Sequence, residues 1–129
     1  LDKINDLCKS KGVELILVKA PTNSWNYYWY DEYEAQVKSF ASSRGLKYYK
    51  LIENEAEIGI DWSVDTYDEG FHLNVYGAEK TSRYFGRILS EECSVPNRKN
   101  DSEISDLWAE RVESYYDRKE TMEKTEDNK

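Results

Sequence analysis

Leu1, Ile4, Leu7 and Cys8 recur at the three-to-four-residue spacing that lines one side of an α-helix, and Gly12 follows where a left-handed C-cap residue belongs. The period then changes. Val13 to Val18 is an almost unbroken aliphatic run, the signature of a strand covered on both faces as in a parallel sheet, and Pro21 in Lys19-Ala20-Pro21-Thr22 stops its ladder. A second helix is predicted from about Asp31 to Arg44, with Tyr33, Val37, Phe40 and Ala41 on one face and Gly45 closing it. Leu46 to Ile52 reads as the next strand, and Asn54 to Tyr67 as loop with a short turn. Asn74 is a good N-cap for a third helix running to about Glu92, with Val75, Ala78, Phe85, Ile88 and Leu89 apolar. Gly77, one turn in, lets that helix approach the sheet closely. After the break at Pro96-Asn97-Arg98-Lys99-Asn100, Ile104, Leu107, Trp108, Val112 and Tyr115 or Tyr116 form a sparse helical stripe that fades into polar residues by Thr121.

Helix, strand, helix, strand with short connections is the rhythm of an α/β layer fold with a mostly parallel sheet and helices on both faces. The expected organisation is therefore a partial three-layer α/β/α domain over residues 1–95, followed by an acidic helical or partly disordered tail over 96–129. No internal repeat is visible.

Composition narrows the function classes. The chain has 129 residues and a formal charge of −8, and its tail carries much of that charge, with ten acids against five bases after Asn100. An acidic chain without a basic stripe argues against nucleic acid, because neutralising phosphates needs clustered Lys and Arg. Cys8 and Cys93 have neither Cys-x-x-Cys nor Cys/His spacing, which speaks against a metal site, and a disulfide between them stays open. No apolar run approaches the roughly 20 residues that a membrane helix needs, and no signal peptide is evident. The chain opens at Leu1, already inside a helical pattern, and is expected to be a piece of something longer.

The candidate chemistry centres on the one histidine, His72, with acids crowding its N-terminal side at Asp65, Asp68 and Glu69 and a helix start just after it. Imidazole is the side chain whose ordinary pKa, about 6.5, lets it accept and return a proton near neutrality. A carboxylate beside it can fix the tautomer and stabilise the imidazolium. In an open α/β sheet, ligands bind beyond the carboxyl ends of the strands, and the loop before the third helix belongs on that rim. So does the segment after the first strand, where Trp25, Tyr27, Tyr28, Trp29 and Tyr30 crowd together. Such aromatics either stack on sugar rings or line an acyl pocket, or pack over the sheet edge or against a partner.

The run Asp68-Glu69-Gly70-Phe71-His72-Leu73-Asn74-Val75-Tyr76-Gly77-Ala78-Glu79-Lys80 resembles the last sequence block of SGNH/GDSL-type hydrolases, especially their bacterial DltD-like branch. Leu7-Cys8-Lys9-Ser10-Lys11-Gly12-Val13-Glu14-Leu15-Ile16-Leu17-Val18-Lys19-Ala20-Pro21-Thr22 resembles the preceding helix and strand of that branch. The resemblance covers roughly residues 1 to 90. It implies a flavodoxin-like, SGNH hydrolase-like sheet in which His72 is the general base that activates a serine and Asp68 orients its ring. Many members place the acid three residues before the histidine, where this chain has Glu69; Asp68 is preferred because Gly70 frees the backbone to bring it under the imidazole, and Asp65 is the third candidate. The family's Gly-Asp-Ser and Gly-x-Asn-Asp blocks do not occur here, so the nucleophile and oxyanion donors are missing. Ser24 and Ser63 are replacements only by their position on the rim.

Two readings follow. In the first, the chain is the C-terminal fragment of an SGNH-like serine esterase, O-acyl transferase or deacetylase, acting on small-molecule or polysaccharide esters of the bacterial cell envelope. It needs no cofactor, is inactive alone, and belongs to a parent that is extracytoplasmic or membrane-anchored. Its substrate rim would be Trp25, Tyr27 and Trp29. In the second, it is a non-catalytic carbohydrate- or protein-binding or scaffold module that makes contact through the aromatic rim of Trp25, Tyr27, Tyr28, Trp29 and Tyr30, with His72 incidental. Open sheet edges would pair with the missing N-terminal half or with a second copy.

Overall fold

Two strands, β1 (Ile16–Lys19) and β2 (Lys47–Lys50), pair in parallel, with Ile16 opposite Lys47 and Lys19 opposite Lys50. A parallel pair cannot be closed by a tight turn. The connection here carries a helix, α2 (Tyr30–Arg44). The computed structural model describes residues 1–23, 29–68 and 70–126. The remaining elements, in chain order, are α1 (Asp2–Ser10), a 3-10 turn at Leu51–Asn54, the single-turn α3 (Glu55–Ile58), α4 (Val75–Glu92) and α5 (Ser102–Glu126). The chain is thus mixed α/β with a two-stranded parallel sheet among the described residues. It divides into two units, Leu1–Ser82 and Arg83–Lys129, and the division falls inside α4.

The core of the first unit is small. Among the described residues, its buried apolar side chains include Val37 and Ala41 of α2, Leu51 and Ile52 of the 3-10 turn and Ile58 of α3. Leu51 and Ile52, expected at the end of the second strand, instead turn inward as soon as β2 ends. Their burial drives that turn: an extended strand would place neighbouring side chains on opposite faces, whereas the 3-10 turn puts both into the core. The first strand is likewise shorter than the aliphatic run that predicts it, and Val13 is left exposed.

α2 keeps its expected length, and Gly45 closes it in the left-handed conformation with φ of 65°. Its buried face differs from the expected one: Glu34 joins Val37 and Ala41 inside, while Tyr33 is half exposed. The reason lies on β2. Tyr48 donates its hydroxyl to the Glu34 carboxylate, 2.9 Å from Oε1 and 3.0 Å from Oε2, and Lys50 Nζ stands 3.5 Å from Oε2. A buried carboxylate held by a hydroxyl and an ammonium is tolerable where a bare one is not. Burial first, then the bond to Glu34, push the Tyr48 phenol well above its ordinary value. Tyr33 instead lies under Lys19 at the carboxyl end of β1, with Nζ 5.1 Å from the ring centre.

α1 inverts its expected packing. Leu1, Ile4 and Leu7 are more than half exposed, and Asn5 is buried. The helix ends where Gly12 takes φ of 64°, with Val13 N–H donating to the Cys8 carbonyl at 2.9 Å. Cys8 and Cys93 are not joined in a disulfide.

In the second unit, Asp101 starts α5. Its Oδ1 accepts from the Ile104 N–H at 3.3 Å, and its Oδ2 pairs with Arg98 at 2.5 Å. Among the described residues no helix is long and apolar enough to cross a membrane.

Leu51→Ala should cost about 2–5 kcal/mol of stability because the site is closed on all sides, whereas Leu7→Ala, on the exposed face of α1, should change it by less than ~0.5 kcal/mol. Urea unfolding of the two variants beside the unaltered chain checks the contrast.

Candidate active site

The loop from Asp61 to Asn74 is built on one buried carboxylate. Asp65 is 1% exposed, and its Oδ2 accepts from the Asp61 N–H at 2.7 Å and from Lys80 Nζ of α4 at 2.6 Å. Its backbone carbonyl accepts from the Asn74 N–H at 2.9 Å. Asn74 then caps α4 as expected, its Oδ1 accepting from the N–H groups of Tyr76 at 3.0 Å and Gly77 at 3.2 Å. Its amide also donates to the Val64 carbonyl at 2.7 Å. Gly77 is needed here because a Cβ would lie 2.5 Å from the Asp65 carbonyl oxygen and 3.0 Å from Leu73 Cδ2. The close approach expected of Gly77 is therefore to this loop rather than to the sheet.

Beyond that base the chain closes into a narrow loop. Thr66 and Leu73 bridge in antiparallel fashion, and the Tyr67 N–H donates to the His72 carbonyl at 3.1 Å. At the tip, the Phe71 N–H donates to the Asp68 carbonyl at 3.2 Å, and Gly70 takes φ of 104°, a conformation that side chains rarely adopt.

This tip brings Asp68 and His72 together. Asp68 Oδ2 is 2.6 Å from His72 Nδ1, and Asp68 Oδ1 accepts from the His72 backbone N–H at 2.7 Å. One carboxylate thus holds both the ring and the main chain of the same residue. An ionised carboxylate only accepts hydrogen bonds, so Nδ1 carries the proton and Nε2 is the ring's acceptor. The bond from the imidazole holds the Asp68 carboxyl below its ordinary value of 3.8, with the His72 backbone N–H adding to the effect and partial burial opposing it. The His72 side chain is 80% exposed. Water screens the pair at that exposure, so the bond fixes direction more than it stabilises the fold.

The other candidates are placed differently. Asp65 is the structural carboxylate of the loop base, its Oδ2 accepting from both Lys80 and the Asp61 N–H. Ser63 donates its hydroxyl to Asp61 Oδ1 at 2.6 Å and belongs to the turn that enters the loop; with the Ser63 N–H, that bond lowers the Asp61 carboxyl. Trp29 is two thirds exposed at the start of α2, in a left-handed conformation with φ of 74°. Glu69, Ser24, Trp25 and Tyr27 lie outside the described residues. Among the described residues, no group of three His, Cys, Asp or Glu side chains could hold a metal ion.

Two participants were not singled out as part of the site from the sequence. The Thr22 hydroxyl lies 3.3 Å from the Gly70 carbonyl and 3.2 Å from that of Phe71, and the Asn23 N–H donates to the Gly70 carbonyl at 2.8 Å. The segment after β1 therefore touches the His72 loop directly. No family model, no curated protein and no solved structure matches this chain.

Lowering the pH should undo the Asp68 contribution in a defined direction. A carboxyl whose folded-state pKa is depressed stabilises above its unfolded value, and the effect is lost as pH falls through the folded one. Thermal melts of the unaltered chain and of Asp68→Asn, followed from neutrality to about pH 2, should differ above about pH 4 and converge below it. Two glycines of α4 should respond with opposite sign. Gly77→Ala should destabilise by about 1–3 kcal/mol through its clash with Asp65, whereas Gly86→Ala, with nothing within 4 Å, should stabilise by about 0.5–1 kcal/mol. Denaturant midpoints measure both.

Proposed function

We propose that this chain supplies the general base and its orienting acid to a serine-dependent ester hydrolase or acyl transferase of the SGNH/GDSL type. The observation that carries the reading is the double grip of Asp68 on His72, with Oδ2 on Nδ1 and Oδ1 on the backbone N–H. In this role Asp68 keeps the proton on Nδ1. His72 Nε2 takes the proton of an attacking hydroxyl and returns it to the leaving alkoxide, while the Asp68 charge stabilises the imidazolium formed between the two steps. The nucleophile is assigned to a Gly-Asp-Ser block outside these 129 residues, since Ser63 is engaged with Asp61. The two parallel strands would then belong to a three-layer, flavodoxin-like sheet, and polysaccharide or small-molecule esters of the cell envelope would be the substrate class. The other reading, a carbohydrate- or protein-binding module, draws on the exposed Trp29 at the start of α2.

The test is hydrolysis of p-nitrophenyl acetate by the 129-residue chain and by a longer protein that joins it to a Gly-Asp-Ser segment encoded upstream. The longer protein should turn over and the chain alone should not. His72→Ala should reduce kcat about 100-fold or more. Activity that survives this substitution, or a coding sequence upstream without such a block, would end the hydrolase reading in favour of the binding module.

A further inference from the structure

The Asp68–His72 pair is carried on a loop tip whose own bonds are short-range. The Phe71 to Asp68 turn and the Tyr67 to His72 closure both span neighbouring residues. Nothing in those bonds fixes the tip relative to the sheet. The attachment that does so comes from a distant part of the chain. Pro21 is buried, the Thr22 hydroxyl stands within reach of the carbonyls of Gly70 and Phe71, and the Asn23 N–H donates to the Gly70 carbonyl. These contacts fall on the two residues between the acid and the base of the pair, leaving aside Glu69.

Gly70 shows how close the approach is. A Cβ there would run into Asn23 Cβ, and φ of 104° adds strain for any side chain. The absence of a side chain at Gly70 thus serves two purposes: it permits the turn that brings Asp68 to His72, and it admits the Thr22-Asn23 backbone against the tip.

We propose that Thr22 is a positioning residue for the dyad, coupling the carboxyl end of β1 to the orientation of the His72 imidazole; this rests on the reading of Asp68 and His72 as acid and base. Two carbonyls side by side present a concentrated negative edge, and a hydroxyl shared between them offsets it where Asn23 N–H satisfies only one. With that hydroxyl gone, the tip opens more often, and each opening breaks the Asp68 bonds to the ring and to the His72 N–H together. Nε2 would then lose the fixed direction that general-base transfer requires.

The chain has a single histidine, so one imidazole spectrum reports the pair without assignment ambiguity. The experiment is nuclear magnetic resonance on the isotope-labelled 129-residue chain. It reads the tautomer of the neutral ring from its nitrogen shifts and the hydrogen exchange of the His72 amide. Thr22→Val should lower the Nδ1–H fraction and speed His72 amide exchange roughly fivefold, the effect of losing one ordinary hydrogen bond from a local opening equilibrium, with the circular dichroism spectrum unchanged. Thr22→Ser should restore both readouts. Gly70→Ala should reproduce the Thr22→Val result through Asn23, whereas Gly45→Ala, also at positive φ (65°) but facing open space, should leave both readouts as they were.

Asp68→Asn separates the two levels of the argument. If it shifts the tautomer while Thr22→Val does not, the dyad stands and the positioning role of Thr22 is overturned. If Asp68→Asn leaves the tautomer unchanged, the pair does not form in solution, and the proposed function fails along with its positioning residue. Should Thr22→Val lose its fold, Thr22→Ser and Gly70→Ala decide: a wild-type tautomer in Gly70→Ala overturns the proposal.

Discussion

The buried carboxylate of Asp65 is the constraint on which the candidate site depends. A carboxylate at 1% exposure must be neutralised and hydrogen-bonded, and Asp65 obtains both from groups on either side of it in sequence, the Asp61 N–H before and Lys80 after. Satisfying one side chain thereby draws together the entry turn, the loop and the first turns of α4. The Asn74 cap and the side-chain-free Gly77 follow from the same demand, since the helix must come close enough for Lys80 to reach. The sequence resemblance offered Asp65 as an alternative catalytic acid. Its burial explains why it serves the scaffold instead: a group already bound to Lys80 and a backbone amide has its charge spent on holding the loop shut.

Asp68 is the complement of Asp65. It lies at the exposed end of the same loop, where solvent screens its charge and its value is directional. The two acids are three residues apart and differ in depth: Asp65 holds the loop base, and Asp68 holds the exposed His72 ring. An exposed dyad of this kind has the geometry for proton transfer and lacks the dry surroundings that make such transfer efficient. In the proposed enzyme, those surroundings come from whatever brings the serine.

Most of the fold was legible where one period governs a segment. α2, with Gly45 as its stop, and α4, with Asn74 as its cap, begin and end within a residue of their expected bounds, because caps and left-handed glycines act locally. The Asp68–His72 pair was legible for a similar reason, as a short spacing with a glycine between. What escaped depends on distant partners. Nothing near Glu34 announces that Tyr48 will reach across to bury it. The end of β2 was overrun because Leu51 and Ile52 suit a strand and a 3-10 turn equally, and the core decided between them. α1 reads as an amphipathic helix with its apolar side inward, yet Leu1, Ile4 and Leu7 face water. Thr22 stayed invisible as a contact because its partners are backbone carbonyls some fifty positions away, which carry no sequence signature.

The parallel pairing of β1 with β2 also sets the order in which the first unit can assemble. Each residue of β1 finds its partner 31 positions later, as Ile16 does in Lys47, so the sheet has no local hairpin to start from. The entropy of closing that long connection must be met before the ladder returns anything. α2 shortens the gap by folding it into a rod, and its Glu34–Val37–Ala41 face offers the first surface on which β2 can settle. The carboxylate that looks like a misplaced charge in a small core is also the shorter link: through Tyr48, Glu34 ties α2 to β2 across 14 positions, so this contact closes a smaller loop than the parallel ladder does.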